Sequence, residues 1–237
     1  MRVSSDFKDY LLDRYGSPEE AFEAYKLYAD GWDPAMKCRL AMCYNYAFGT
    51  ERDIPKAVYW FIMAAEQGYP EAQAFLGVCY AMGRGVPQDQ EKAADLIEKA
   101  AEARYPEAMY LMGEFYYLGQ GRPVNIPKAI DWFFKGSEAN DSDAKYSLAR
   151  EYITGEYLKQ DLDKGIPLLE DAAGLGSTDA MLLLGSMYEK GQGVEQNMFK
   201  ARMYYTEAEK LGVQEAGESS ERVLRRLLSD DDDDGNK

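Results

Sequence analysis

Apolar residues recur along most of the chain at helical spacing, in short stretches separated by glycine, proline and aspartate. In one stretch Ala72, Leu76 and Tyr80 share a face, with small Gly77 beside them, the periodicity of an amphipathic helix. A second kind of stretch carries Ala57, Trp60, Phe61, Ala64 and Ala65, whose paired alanines let a neighbouring helix come close. Stretches of the first kind end at Gly83 and Gly85, Gly119 and Gly121, or Gly191 and Gly193. Such residues can adopt the left-handed conformation of a helix exit. Asp53, Asp89, Asn125, Asp161 and Asn197 stand ahead of the following stretches, where a side-chain oxygen can cap free backbone N–H groups. Pro55 and Pro127 lie two residues further on, in a first turn where the missing donor does no harm. Gly68 and Pro70 mark the passage to the next pair of stretches. The pattern predicts an all-α chain of helix hairpins.

The hairpins are copies of one unit. Lys56, Lys92, Lys128, Lys164 and Lys200 each precede a small residue and stand 36 residues apart; Tyr44, Tyr80, Tyr116, Tyr152 and Tyr188 keep the same interval, as do the five Asp/Asn residues. A single hairpin cannot bury its apolar faces, so the copies must stack. The pattern A-x3-LG-x2-Y-x2-G-x-G-V is cleanest from Ala72 through Leu76, Gly77, Tyr80, Gly83, Gly85 and Val86, and from Ala180 through Leu184, Gly185, Tyr188, Gly191, Gly193 and Val194. With the K-A, A-A and G that follow, it resembles the Sel1-like repeat, a relative of the tetratricopeptide solenoids. The resemblance implies an α-solenoid superhelix of five 36-residue hairpins, at about 33–70, 71–106, 107–142, 143–178 and 179–214. Three positions depart from the pattern: Ala47 replaces the first loop glycine of the first unit, Tyr157 the second of the fourth, and Gly136-Ser137 the Ala-Ala of the third.

The two ends read as caps. Residues 1–32 form a degenerate entry unit, with Ser17-Pro18-Glu19-Glu20 as a capping-box start. Residues 215–229 form a terminal helix, with Ser220, Val223, Leu224, Leu227 and Leu228 on its apolar face and charges on the other. Residues 230–237, led by Asp230 to Asp234, read as a disordered acidic tail.

Composition narrows the function. The net charge of the 237 residues is −15. An acidic chain lacks the clustered Lys and Arg that bind phosphate backbones or anionic lipid, so no nucleic acid and no membrane insertion are expected. The apolar runs are too short to cross a bilayer, and Met1 to Asp6 has no apolar core of a secretory signal. The expected location is cytoplasmic, with export by a route needing no N-terminal signal left open. Cys38, Cys43 and Cys79 are too few and odd in number for a disulfide framework and read as buried small apolar residues.

The chain has no histidine. That removes the Ser-His-Asp triad, the Cys-His dyad and the HExxH zinc site together. No C-x-x-C pair exists, so no metal and no cofactor are expected. Gly83-Arg84-Gly85 and Gly119-Gln120-Gly121 lack the Gly-Lys-Ser/Thr of a phosphate loop and recur with the period, as turns do. Some Sel1-like proteins bind or hydrolyse β-lactams, so the resemblance carries an alternative: a protein that binds or hydrolyses a β-lactam or cell-wall fragment.

The resemblance also implies that the first helices of the units line a concave face. Helical spacing from Cys38 through Met42, Asn45 and Tyr46 defines that register, and its equivalents are rich in aromatic residues and methionine. The candidate partner-binding residues are Asn45, Tyr46, Met82, Tyr110, Glu114, Tyr117, Tyr146, Arg150 and Glu189. Tyrosine, methionine and a few charges have the composition of a recognition surface. The expected function is a non-catalytic scaffold that captures a protein or peptide.

Overall fold

The structure, a computed structural model, describes residues 14–234, with side chains through Leu228. Among these residues twelve helices follow one another: α1 (Pro18–Ala29), α2 (Pro34–Tyr46), α3 (Ile54–Ala65), α4 (Pro70–Met82), α5 (Gln90–Glu102), α6 (Pro106–Leu118), α7 (Ile126–Glu138), α8 (Ser142–Thr154), α9 (Leu162–Gly174), α10 (Thr178–Lys190), α11 (Met198–Lys210) and α12 (Gln214–Asp234). Five hairpins, α2–α3 through α10–α11, repeat one design.

The chain leaves each first helix through a left-handed residue: Ala47 (φ 56°), Gly83 (66°), Gly119 (73°), Gly155 (72°) and Gly191 (67°). Ala47 thus accepts the strained conformation that its repeat position demands instead of reshaping the turn. The turn is then closed by the three residue series noted in the sequence. The N–H of Asp53 donates to the carbonyl of Tyr44 at 3.0 Å, Asp53 Oδ1 accepts from the N–H of Lys56 at 3.0 Å, and Lys56 Nζ lies 5.3 Å from the centre of the Tyr44 ring. The same clasp forms in every hairpin, with Lys92 4.3 Å from Tyr80, Lys128 5.0 Å from Tyr116, Lys164 5.5 Å from Tyr152 and Lys200 4.7 Å from Tyr188. A second left-handed position ends the second helices, at Gly68, Arg104, Asn140, Gly176 and Gly212.

The chain forms two compact units, Met1–Lys135 and Gly136–Lys237. In the first, each helix from α1 to α6 packs on the next. Its core includes Phe22, Tyr25 and Leu40 near the start, then Phe61 stacked on Phe75 at 5.1 Å between centroids. In the second, α8 to α12 pack in order around Leu169, Leu184, Tyr205 and Val223. Within a hairpin the helices meet where a small residue faces a large one. A Cβ on Gly113 would stand 2.4 Å from Phe133, on Gly77 2.7 Å from Ile97, and on Gly185 2.6 Å from Tyr205. In the α8–α9 hairpin Ala149 takes the small position and Leu169 the large one in the same core, and at another register a Cβ on Gly165 would stand 2.8 Å from Ile153.

At the entry, residues 1–13 of the expected capping segment lie outside the described residues; Ser17 Oγ accepts from the N–H of Glu20 at the start of α1. At the exit, α12 buries Ala216, Ser220 and Val223, while Leu228 of its expected apolar face is exposed. The backbone of α12 stays helical to Asp234, where the sequence predicts a disordered tail from residue 230. Residues 235–237 lie outside the described residues.

Gly113→Ala is expected to cost about 1–3 kcal/mol, because Phe133 is fully buried and cannot yield. Ala47→Gly should add on the order of 1 kcal/mol by relieving a left-handed alanine. Urea unfolding monitored by circular dichroism should show the two midpoints moving in opposite directions.

Candidate functional site

In the first unit, Asn45 is buried near the end of α2, and its Oδ1 accepts from Arg84 Nη2 at 3.4 Å. Tyr46 is partly buried with its ring edge-on to Phe75 at 6.4 Å, and that burial pushes its phenol above the ordinary range. Met82, the last residue of α4, is 63 % exposed. On α6, Tyr110 stacks over Phe133 at 6.1 Å and Tyr117 tilts onto the same ring at 6.5 Å. Glu114 lies between them on the same face of the helix, also partly buried. Phe133, fully buried, is therefore the floor beneath both tyrosines.

In the second unit, Tyr146 and Arg150 are partly buried on α8, one turn apart. Burial pushes the Tyr146 phenol upward, with the nearby Asp179 carboxylate adding to the effect. Glu189 is buried and belongs to an internal network: Arg222 of α12 donates from Nη2 at 2.9 Å and Nε at 3.2 Å, the Tyr205 hydroxyl donates at 3.0 Å, and Arg226 stands 3.6 Å away. The Arg222 hydrogen bonds, helped by Tyr205, hold the Glu189 carboxyl below its ordinary value of 4.5.

Two of the nine candidates thus fall inside the structure where the sequence places them on an open face. Asn45 and Glu189 have the right helical register, but an arginine from a later segment covers each, 39 and 33 residues away respectively. Of the remaining seven, Met82 alone is exposed; the others are partly buried. The sequence reading also missed Phe133 as a platform. Its signal is the large residue that recurs on the second helices at Phe61, Ile97, Phe133, Leu169 and Tyr205. Leu118, beside Tyr117, adds an apolar side chain 55 % exposed.

Burial pushes Cys43 up to about 12 and raises Cys38 and Cys79 as well, which keeps these thiols protonated. Ser-x-x-Lys spacing, used by some serine nucleophiles, occurs at Ser5–Lys8, outside the described residues, and at Ser142–Lys145 in the first turn of α8. There the Lys145 ammonium turns to Asp171 of α9 at 3.5 Å, a pairing that serves the hairpin. Among the described residues no His, Cys, Asp and Glu group is placed to hold a metal ion, and no helix is long and apolar enough to cross a membrane.

The Glu189 network sets a pH dependence. A carboxyl depressed in the folded state contributes stability that is complete above its unfolded value and is lost as pH falls through the folded one. Glu189→Gln should therefore lower the melting temperature at neutral pH and flatten its decline below about pH 4.5. Melting curves of both proteins across that range check this; parallel curves would exclude the role.

A model of the Sel1 repeat matches residues 34–69, 70–105, 106–141, 142–177 and 178–213. Among solved structures, a Sel1 repeat protein from Oxalobacter formigenes is 32 % identical, covering 82 % of this chain and 80 % of that one with a TM-score of 0.75. A protective antigen of uropathogenic Escherichia coli is 30 % identical over 82 % of this chain and 42 % of its own, with a TM-score of 0.68. An immunity protein from Pseudomonas aeruginosa is 27 % identical over 78 % of this chain and 69 % of its own, with a TM-score of 0.57. The chitin synthase regulatory factor 3 of Schizosaccharomyces pombe is 38 % identical over 65 residues, which are 26 % of this chain and only 7 % of that protein. With five consecutive repeats matched and the same hairpin built five times, the chain belongs to the Sel1 repeat family, as an α-solenoid.

Proposed function

We propose that the chain is a non-catalytic scaffold that binds a protein or peptide, with the first-helix face of Met1–Lys135 as its recognition surface. The observation that carries this reading is the pair of tyrosines, Tyr110 and Tyr117, resting on buried Phe133. A tyrosine ring already held by a buried neighbour has little rotamer freedom left to lose when a partner packs nearby, so the contact it makes converts efficiently into affinity. Exposed Met82 and Leu118, at equivalent positions of the register, add adaptable apolar surface. Glu114 supplies the charge that sets a partner's alignment, and Tyr146 and Arg150 offer a smaller set of the same kind in the second unit. The net charge of −15 favours approach by a basic partner. Relatives named as a regulatory factor and an immunity protein are in keeping with a binding role. None of these observations favours the β-lactam or cell-wall-fragment reading.

Met82→Glu places a charge on an exposed position without disturbing a buried side chain. Its melting temperature should stay within about 2 °C of the original, while partners enriched by the original chain in an affinity capture fall by about tenfold or more. Unchanged capture by the variant would refute this surface.

A further inference from the structure

The α8–α9 hairpin departs from the other four at positions that make stability. At the register filled by Cys43, Cys79, Phe115 and Met187, all buried, it carries Glu151. That side chain is 0 % exposed, and neither carboxylate oxygen accepts a hydrogen bond. Arg150 Nη2 stands 3.6 Å from Oε1, an ion pair longer than a hydrogen bond. A carboxylate removed from water without hydrogen bonds weakens whatever element holds it. The second helix adds a backbone defect: Pro167 lies inside α9, where it offers no N–H to the carbonyl of Asp163 and crowds it. The same register holds Tyr59, Asp95, Asp131 and Met203 elsewhere. With Gly165 and Gly174, α9 collects three of the poorest helix formers in 13 residues. The connecting loop differs as well, since Tyr157 does not share the positive φ of Gly49, Gly85, Gly121 and Gly193.

We infer that α8–α9 is a built-in yielding hairpin: the segment 142–174 opens locally while the other hairpins remain closed. In a repeat protein each hairpin is held mainly by its neighbours, so stability can differ sharply from one to the next without loss of the fold. Opening returns the Glu151 carboxylate to water and relieves the proline, gains that no other hairpin has. Segments of this kind are the ones that move when a protein rearranges. The recognition surface proposed on Met1–Lys135 lies on other helices; of the residues named with it, only Tyr146 and Arg150 are on α8.

Hydrogen exchange of the full chain, read by mass spectrometry hairpin by hairpin, tests it. Relative to intrinsic rates, residues 142–174 should exchange at least about tenfold faster than residues 70–102 and residues 178–210, equivalent to about 1.4 kcal/mol in opening. Glu151→Met introduces the residue of the fifth hairpin, and Pro167→Asp that of the second and third. Each should slow exchange across 142–174 by about tenfold and leave 70–102 unchanged. Equal protection of 142–174 and 70–102 would overturn the inference. So would slowing spread evenly over all hairpins, or a minimum of protection at 178–210, which would mark fraying from the chain end.

Discussion

In each hairpin a tyrosine, an Asp or Asn and a lysine close on one another, and the rest of the architecture rests on that clasp. The tyrosine carbonyl receives the N–H of the capping residue, the capping oxygen receives the N–H of the lysine, and the lysine ammonium returns over the tyrosine ring. A residue near the end of the first helix is thereby tied to the first turn of the second. The bonds are individually modest and partly open to water. Their effect is geometric, because they repeat one crossing of the two helices five times. Only at such a crossing can Gly113 meet Phe133 and Gly185 meet Tyr205 without a void or a clash.

That geometry also makes the candidate surface. Phe133 is driven into the hairpin by its fit against Gly113, and its buried ring then supports Tyr110 and Tyr117. Core packing and the proposed surface share one aromatic platform, and both tyrosines are partly buried on it. Asn45 and Glu189 show how the same register can be spent internally. Arg84 reaches the first and Arg222 the second, and both end as structural polar groups.

Repetition does not make the hairpins equal. Ala47, Arg104 and Asn140 carry left-handed backbone where sister positions have glycine, and the hairpins tolerate it. Glu151 and Pro167 are departures of another kind, since one isolates a carboxylate from hydrogen bonds and the other removes a helix donor. A chain whose contacts run mainly between consecutive helices can carry such defects one at a time. The loss stays largely with the hairpin that contains it.

Much of this was legible before any coordinates. The helices follow from apolar spacing, their ends from Asp53 and its equivalents, and the repeat from intervals of 36. These are local signals, decided within a few residues by capping, backbone conformation and side-chain periodicity. The register of the first-helix face was legible for the same reason, and Tyr110, Glu114 and Tyr117 do share a side of α6. Helical register, however, says which residues point together and not what covers them. That the carboxylate of Glu189 is claimed by Arg222, that Asn45 is covered by Arg84, and that Phe133 underlies two tyrosines are contacts between separate segments. Such contacts depend on how one helix lands on the next, which is why the tertiary structure alone decided them.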